Sequence, residues 1–550
     1  MDSSTILHRP AGVGGMPRLN DALLNKGTAF TDEERGRFAL EGLLPARVES
    51  LQEQAARVFE NFRAKSSDME RYLYLRCVQD ENEALFYRVV LDHLEETLSI
   101  IYTPTVGQAC TDWSRLYQRP RGLYITERHR GRVAQILRNW PRRAVRIIVV
   151  TDGARILGLG DLGANGMAIP IGKLALYTAC GGVPPQLCMP VTLDVGTDNQ
   201  TIRADPFYLG AQESRLDGES YDSLLDEFIS AAQSLFPDAV LQFEDFNNAC
   251  AFRLLERYRD RVCCFNDDVQ GTGAMGLAGL YSAGRITGSA LAEHRILFVG
   301  AGEACLGIGG MVIAAMQHEG MTEAQARQAC LFVDSRGLVI ASRTDLPGYK
   351  RAFAQDRSPL PNLLTAVEVF KPTALIGACG KAGVFTQPVL QAIARLNDRP
   401  IVFALSNPTS KSECTAEQAY AWSGGKALFA CGSPFDPVTI GTQTWVPRQG
   451  NNSYIFPGVG LGAVAVRSRR VTDEMFLAAA TALAAQVTQQ DLDQGSLFPP
   501  LSQVREVSTK LAVAVAEVAF SQGHAGIERP ADLHAHVRSC MYDPTYPQYV

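Results

Sequence analysis

The sequence is poor in several things, and each absence closes off a class of protein. No uninterrupted apolar run reaches the ~18 residues that cross a bilayer, so no membrane partner is expected. The 13 cysteines include no Cys-x-x-Cys pair, which argues against a disulfide framework or zinc site and for reduced thiols in a cytoplasmic setting. The eight histidines (His8, His93, His129, His294, His318, His524, His534 and His536) all fall outside the Gly-rich and acid-rich segments described below. Catalysis by His or a Ser-His-Asp triad is therefore not expected, and acid–base work is left to Lys, Tyr and carboxylates. Charge is scarce too: a net −6 with a pI near 5.9 argues against a general nucleic-acid binder. The N-terminal Met-Asp-Ser-Ser-Thr-Ile-Leu-His lacks the apolar stretch of a secretory signal. What is present, 46% hydrophobic and 20% charged residues in a 550-residue chain, suits two large domains or about three to four of ordinary size.

Apolar residues recur at helical spacing through residues 40–100, for instance Leu51, Ala55, Val58, Phe59 and Phe62, and Pro104 with Gly107 is expected to end this region in a turn. From Val145 the texture changes. Arg146-Ile-Ile-Val-Val-Thr-Asp-Gly reads as a buried strand, with further strands expected at Leu187–Leu193 and Ala239–Phe243 and a long helix through Leu224–Leu235. Strands at Arg295–Val299, Leu331–Asp334, Ala374–Gly377 and Ile401–Asn407 alternate with helices, the pattern of a doubly wound parallel sheet. The last ~90 residues return to helices, including an Ala-rich stretch at Met475–Val487. The terminal Tyr542-Asp-Pro-Thr-Tyr546-Pro-Gln-Tyr549 reads as an extended tail lying on another surface.

Two segments compete as a dinucleotide-binding turn. Gly158-Leu-Gly160-Asp-Leu-Gly163 matches G-x-G-x-x-G as a string, whereas Gly300-Ala-Gly302-Glu303-Ala304-Cys305 misses the third glycine. Context favours the second, which has a strand before it, a helix after it and Asp334 closing the next strand. Arg336 and Lys350 then lie where they can meet a 2′-phosphate, and NAD and NADP both stay open. Two acidic pairs, Glu244-Asp245 and Asp267-Asp268, each follow an apolar run, and hard oxygen donors without His or Cys suit Mg²⁺ or Mn²⁺. Lys173 is the only charged side chain between Leu162 and Leu193. Burial of such a lysine is expected to lower its pKa toward neutrality and make it a candidate general base; snorkelling to solvent is the alternative.

Six segments in one order carry a wider resemblance: Tyr102-Thr-Pro-Thr-Val-Gly, Thr151-Asp-Gly-Ala-Arg155-Ile-Leu-Gly-Leu-Gly-Asp-Leu-Gly, Phe243-Glu-Asp-Phe, Phe265-Asn-Asp-Asp-Val-Gln-Gly-Thr, Leu405-Ser-Asn-Pro-Thr and Asn451-Asn-Ser-Tyr-Ile-Phe-Pro-Gly. Together they resemble the malic enzyme family, in its large-subunit branch, from about Leu23 to Ala516. The resemblance implies an α/β chain in four parts: a helical N-terminal region (1–120), an α/β substrate- and metal-binding domain (121–270), a Rossmann-type NAD(P) domain (271–455) and C-terminal helices packing back (456–550). It implies oxidative decarboxylation of (S)-malate to pyruvate and CO₂ with NAD or NADP and Mg²⁺ or Mn²⁺, in a homo-oligomer, dimer or tetramer. Glu244, Asp245 and Asp268 would bind the metal; Lys173 would take the hydroxyl proton with Asp267 tuning it; Tyr102 would protonate the enolate carbon. Arg155, Asn407 and Asn452 would hold malate, and Gly300, Gly302, Glu303, Ala304, Asp334, Arg336, Lys350 and Asn407 the cofactor. A malolactic enzyme, which yields lactate and retains its NAD, is the nearest rival. A silent dinucleotide-binding regulator would have no use for Tyr102, Lys173 and the acids, and a metal-independent dehydrogenase would survive chelation.

Overall fold

The computed structural model describes residues 13–549; the N-terminal segment read above for a signal, with His8, lies outside them. Helices at Leu51–Arg63, Asp68–Glu81, Glu83–Asp92 and Leu94–Ile101 follow the apolar spacing. The first begins only at Leu51, where the Ser50 hydroxyl accepts from the Glu53 N–H and Glu53 accepts in return from Ser50 N–H, so two free helix-end donors are satisfied at once. The turn expected at Pro104 and Gly107 stops earlier. A new helix, Thr105–Leu116, starts directly after Pro104 and takes in Gly107, because Val106, Ala109, Cys110 and Trp113 give it a buried face.

The first sheet is entirely parallel. Its strands are β1 (Leu123–Thr126), β2 (Ile147–Thr151), β3 (Cys188–Asp194), β4 (Val240–Phe243) and β5 (Cys264–Asn266), in the order β1-β3-β2-β4-β5. All five residues of β2 are buried, as expected for a β-branched run covered on both faces. The edge strand β1 carries no such run and lies outside the expected strands, whereas β5 is the short apolar run that precedes Asp267.

The second sheet holds β6 (Ile296–Val299), β7 (Cys330–Asp334), β8 (Gly337–Leu338), β9 (Ala374–Gly377), β10 (Ile401–Ala404) and β11 (Leu428–Cys431), in the order β11-β10-β9-β6-β7-β8. Only β8, folded back on β7, is antiparallel. The chain leaves β6 for β7 on one side and later fills β9 on the other, so the topological switch lies beside β6, where open α/β sheets bind ligands.

The C-terminal helices pack back on both halves. Phe456 at the start of the Phe456–Ala465 helix meets Tyr177 edge-on at 4.9 Å, and Asp473, opening the Asp473–Ala484 helix, accepts from Gln270 Nε2 at 2.7 Å. The tail beyond Tyr542 is extended and lies on the N-terminal helices of its own chain. Tyr546 OH donates to Gln54 Oε1 (2.6 Å) and accepts from Asn82 Nδ2 (2.7 Å), while Tyr549 stacks on Phe30. Among the described residues no helix is long and apolar enough to cross a membrane, and all thirteen cysteines are unpaired.

Candidate active site

Because β4 and β5 are neighbours in register, with Phe243 opposite Asn266, the acids that follow them emerge side by side at the carboxyl edge of the first sheet. Carboxylate oxygens of Glu244, Asp245 and Asp268 lie within 4.8 Å of one another. Asp245 adopts a left-handed backbone (φ 55°), unusual for a residue with a side chain and a form of strain that clusters at functional sites. The turn is pinned by Asp245 N–H donating to Asp268 Oδ2 (2.8 Å) and Leu157 N–H donating to Asp245 Oδ1 (3.3 Å). Burial, reinforced by repulsion between the acids, pushes the carboxyls of Glu244 and Asp245 well above the usual range and raises Asp268, with Lys173 pulling each the other way. Asp245 Oδ2 is buried without a hydrogen-bond partner. Three crowded hard donors with an orphan oxygen fit a divalent cation such as Mg²⁺ or Mn²⁺.

Lys173 is buried, not snorkelling. It sits on the wholly buried Ala168–Ala179 helix, where its ammonium contacts Asp267 directly and reaches Glu244 Oε1 at 2.9 Å. The ring of Phe456 lies 4.4 Å from Nζ and that of Tyr102 5.4 Å. The expected downward pKa shift is corrected here: burial alone would lower it, but Asp267 and Glu244 reverse the effect and hold the lysine well above its ordinary range. Asn452 Nδ2 fixes Asp267 from the other side, donating to its Oδ2 (3.0 Å) and to Thr272 Oγ1 (2.9 Å). Tyr102 reaches the lysine because Gly172, the residue before Lys173, has no side chain: a Cβ there would lie 3.1 Å from the Tyr102 ring. Burial raises the Tyr102 phenol well above its usual range, Lys173 opposing, so at neutral pH it is a proton donor.

A buried relay that sequence reading passed over supports Glu244. Tyr177 OH donates to Gln242 Oε1 (2.5 Å) and Gln242 Nε2 donates to Glu244 Oε2 (2.7 Å). The signal was available, since strand alternation puts residues 242 and 244 on one face.

Arg155 lies on the loop after β2, its side chain 41% exposed, with Nη1 donating to Asn248 Oδ1 (2.5 Å) and 3.4 Å from Glu303 Oε2. The Gly158–Gly163 string is part of this loop. Its Gly158 faces Asn407, whose carbonyl oxygen would lie 3.4 Å from a Cβ there. Asn407 itself follows β10, on the opposite wall of the crevice.

The Gly300–Cys305 turn has the expected strand–turn–helix context, although its string misses the third glycine. Gly300 has φ 124°, open to glycine, and Gly302 caps the Glu303–His318 helix, with Ala304 in its first turn. Around Gly302 a Cβ would meet nothing nearer than 3.7 Å, at Arg155 Nη2 and Asn248, which leaves backbone open to a phosphate group. Cys305 is fully buried, its thiol against Val299 O (3.6 Å), so it packs the turn from beneath. Burial and the neighbouring Asp268 push the Glu303 carboxyl up to about 9. At the end of β7, Asp334 accepts from Lys350 Nζ (3.1 Å) and from Arg343 (2.8 Å), and Arg336 pairs with Asp345 at 2.9 Å while remaining 71% exposed. Arg343, missed in the sequence, adds a third cation to a cluster holding two acids and leaves it net positive.

Known proteins resemble this chain over nearly its whole length. The family model described as malic enzyme, N-terminal domain, matches residues 79–259, and that described as malic enzyme, NAD binding domain, matches residues 269–520. The NADP-dependent malic enzyme of Columba livia is 49% identical over 539 residues, 98% of this chain and 97% of that one. The NADP-dependent malic enzyme of Homo sapiens is 49% identical over 528 residues, covering 96% and 92%. Among solved structures, the Entamoeba histolytica malic enzyme shares the fold with a TM-score of 0.58 at 21% identity, over 91% of each chain. This chain belongs to the malic enzyme family.

Proposed function

We propose that the chain oxidises (S)-malate and decarboxylates it to pyruvate and CO₂, with reduction of NAD(P)⁺. The observation that carries this reading is the buried Lys173 ammonium held between Asp267 and Glu244 beside three crowded carboxylates. Glu244, Asp245 and Asp268 would hold Mg²⁺ or Mn²⁺, which when bound polarises the substrate oxygens and offsets developing negative charge. Lys173 takes the C2 hydroxyl proton as hydride leaves. To do so it must first release its own, and Asp267 Oδ2 is the acceptor in direct contact with Nζ. Tyr102, kept protonated by burial, supplies the proton to C3 after CO₂ departs and is recharged from Lys173. Arg155, Asn407 and Asn452 bind the malate carboxylates.

Gly300, Gly302, Glu303 and Ala304 seat the pyrophosphate side of the cofactor, with Asn407 toward its nicotinamide. The cations Arg336, Arg343 and Lys350 around Asp334, together with the printed names of the relatives, support NADP over NAD. The four-part division at residues 120, 270 and 455, a homo-oligomeric state (dimer or tetramer) and a cytoplasmic location belong to the same reading. Free NADPH separates the oxidative reaction from a malolactic one. Malate-dependent reduction of NADP and NAD, assayed with Mn²⁺ and with chelator, is expected to give NADPH and pyruvate in equal amounts and to stop on chelation. Lactate without accumulating NADPH would overturn the reading.

A further inference from the structure

Glu413 is fully buried and lies outside every motif the sequence offered. Its carboxylate gathers donors from two loops. Oε1 accepts from Cys379 N–H (3.0 Å), from the Ser406 hydroxyl (2.5 Å) and from the Cys379 thiol (3.4 Å), and Oε2 accepts from Ser406 N–H (3.2 Å). The Ser406 hydroxyl in turn accepts from Gly380 N–H at 2.8 Å. None of these donors is a cation, so the side chain is held by neutral groups of two loops, and each loop depends on it for its place. The side chain also presses on the end of β9, where a Cβ at Gly377 would lie 2.6 Å from Glu413 Cγ.

The two loops it ties are the segments that follow β9 and β10 at the carboxyl edge of the second sheet. Ala378 O lies against the phosphate turn, 3.0 Å from where a Gly300 Cβ would be. Asn407 directly follows Ser406. Because the switch point is beside β6 and the Asp334 cluster marks the β7 side for the adenosine, the β9–β10 side is left for the nicotinamide. We infer that Glu413 is a positioning residue of the cofactor site: by clamping residues 378–380 to residues 405–407 it sets where the nicotinamide half of NADP and Asn407 sit. This rests on the function proposed above.

The test uses the full-length enzyme with Glu413→Gln, which keeps the volume but turns one acceptor into a donor, and with the milder Ser406→Ala, which removes the link to Gly380. Binding of NADP⁺ and of 2′,5′-ADP, the adenosine half alone, is measured by calorimetry without malate, and the deuterium isotope effect on kcat with malate labelled at C2. Both variants are expected to bind 2′,5′-ADP as the native enzyme does. Glu413→Gln should bind NADP⁺ about tenfold more weakly and Ser406→Ala about threefold, with a raised isotope effect in each, because misplacing a reacting group slows the chemical step. If NADP⁺ affinity relative to 2′,5′-ADP and the isotope effect stay native in every variant that folds, whatever happens to Tm, Glu413 is structural only and the inference is wrong. Native enzyme that makes no NADPH from malate would instead overturn the functional reading.

Discussion

At Lys173 two opposing effects meet: burial strips the ammonium of water, and two carboxylates in contact more than restore what burial removes. The pair is therefore strongly held, and removing one partner exposes the cost. Lys173→Ala is expected to leave Asp267 and Glu244 uncompensated, destabilising the fold by about 3–5 kcal/mol, and to slow malate oxidation by about 10²–10⁴-fold while NADP binding is unchanged. Near-native turnover in a steady-state assay would remove the base assignment. The acids make a separate prediction. A raised carboxyl pKa at Asp245 and Asp268 makes protons stronger competitors for the cation, so cation affinity falls as pH falls, by up to about tenfold per pH unit for each proton displaced. Mn²⁺ titrations followed by paramagnetic resonance between pH 8 and 6 should show this weakening. Asp245→Asn should bind Mn²⁺ about 10–100-fold more weakly and flatten the pH slope. An affinity independent of pH in the native protein would contradict the clustered, proton-holding site.

Between elements, one tight joint is where the Glu303–His318 helix crosses the turn that carries Asp267 and Asp268. A Cβ at Gly307 would stand 2.2 Å from Val269 O, a backbone atom that cannot step aside. Gly307→Ala should therefore push the Glu303–His318 helix away from the acidic turn, lower stability by about 1–3 kcal/mol and, on the proposed function, weaken NADP and Mn²⁺ binding together. Weakening of NADP alone would show that the two sites are not coupled through this joint. At the end of β7, Lys350→Ala should weaken NADP at least ~10-fold and leave NAD nearly unchanged, since it removes a charge from one side of a cluster that is only just net positive. Elements carried by one strong local pattern were legible beforehand: the buried β-branched run of β2, the acids closing β4 and β5, and the solitary Lys173. The edge strand β1 was not, because its four mixed residues have no period to read. The direction of the Lys173 shift escaped for another reason, since Asp267 and Glu244 stand far from it in sequence and only the fold brings them to its Nζ. Arg343 and Glu413 were hidden likewise: each acts through partners on another loop, and neither sits in a string that signals chemistry.

Across the whole molecule, the carboxyl edges of the two sheets face one crevice, with Arg155 and Asn248 of the first meeting Gly302 and Glu303 of the second. The C-terminal helices brace that arrangement from behind, through Phe456 against Tyr177 and Asp473 with Gln270. The extended tail then ties the last helices to the first ones. Tyr542 N–H donates to Gly182 O (2.6 Å), Arg505 holds Tyr542 O (2.7 Å), Tyr546 bridges Gln54 and Asn82, and Tyr549 closes the small apolar cluster of Phe30, Phe38 and Leu40. None of these groups belongs to the crevice, so the tail should govern persistence of the fold and not the chemistry. Burying two tyrosines is worth at most about 3–6 kcal/mol, and a chain of this size tends to unfold irreversibly, so the effect is best read as a rate. Deleting residues 545–550 is expected to leave kcat and the KM values for malate and NADP within twofold of native at 25 °C while shortening the activity half-life severalfold near the unfolding temperature. The opposite pattern, altered KM values with an unchanged half-life, would mean that the tail reaches the active site through contacts this arrangement does not contain.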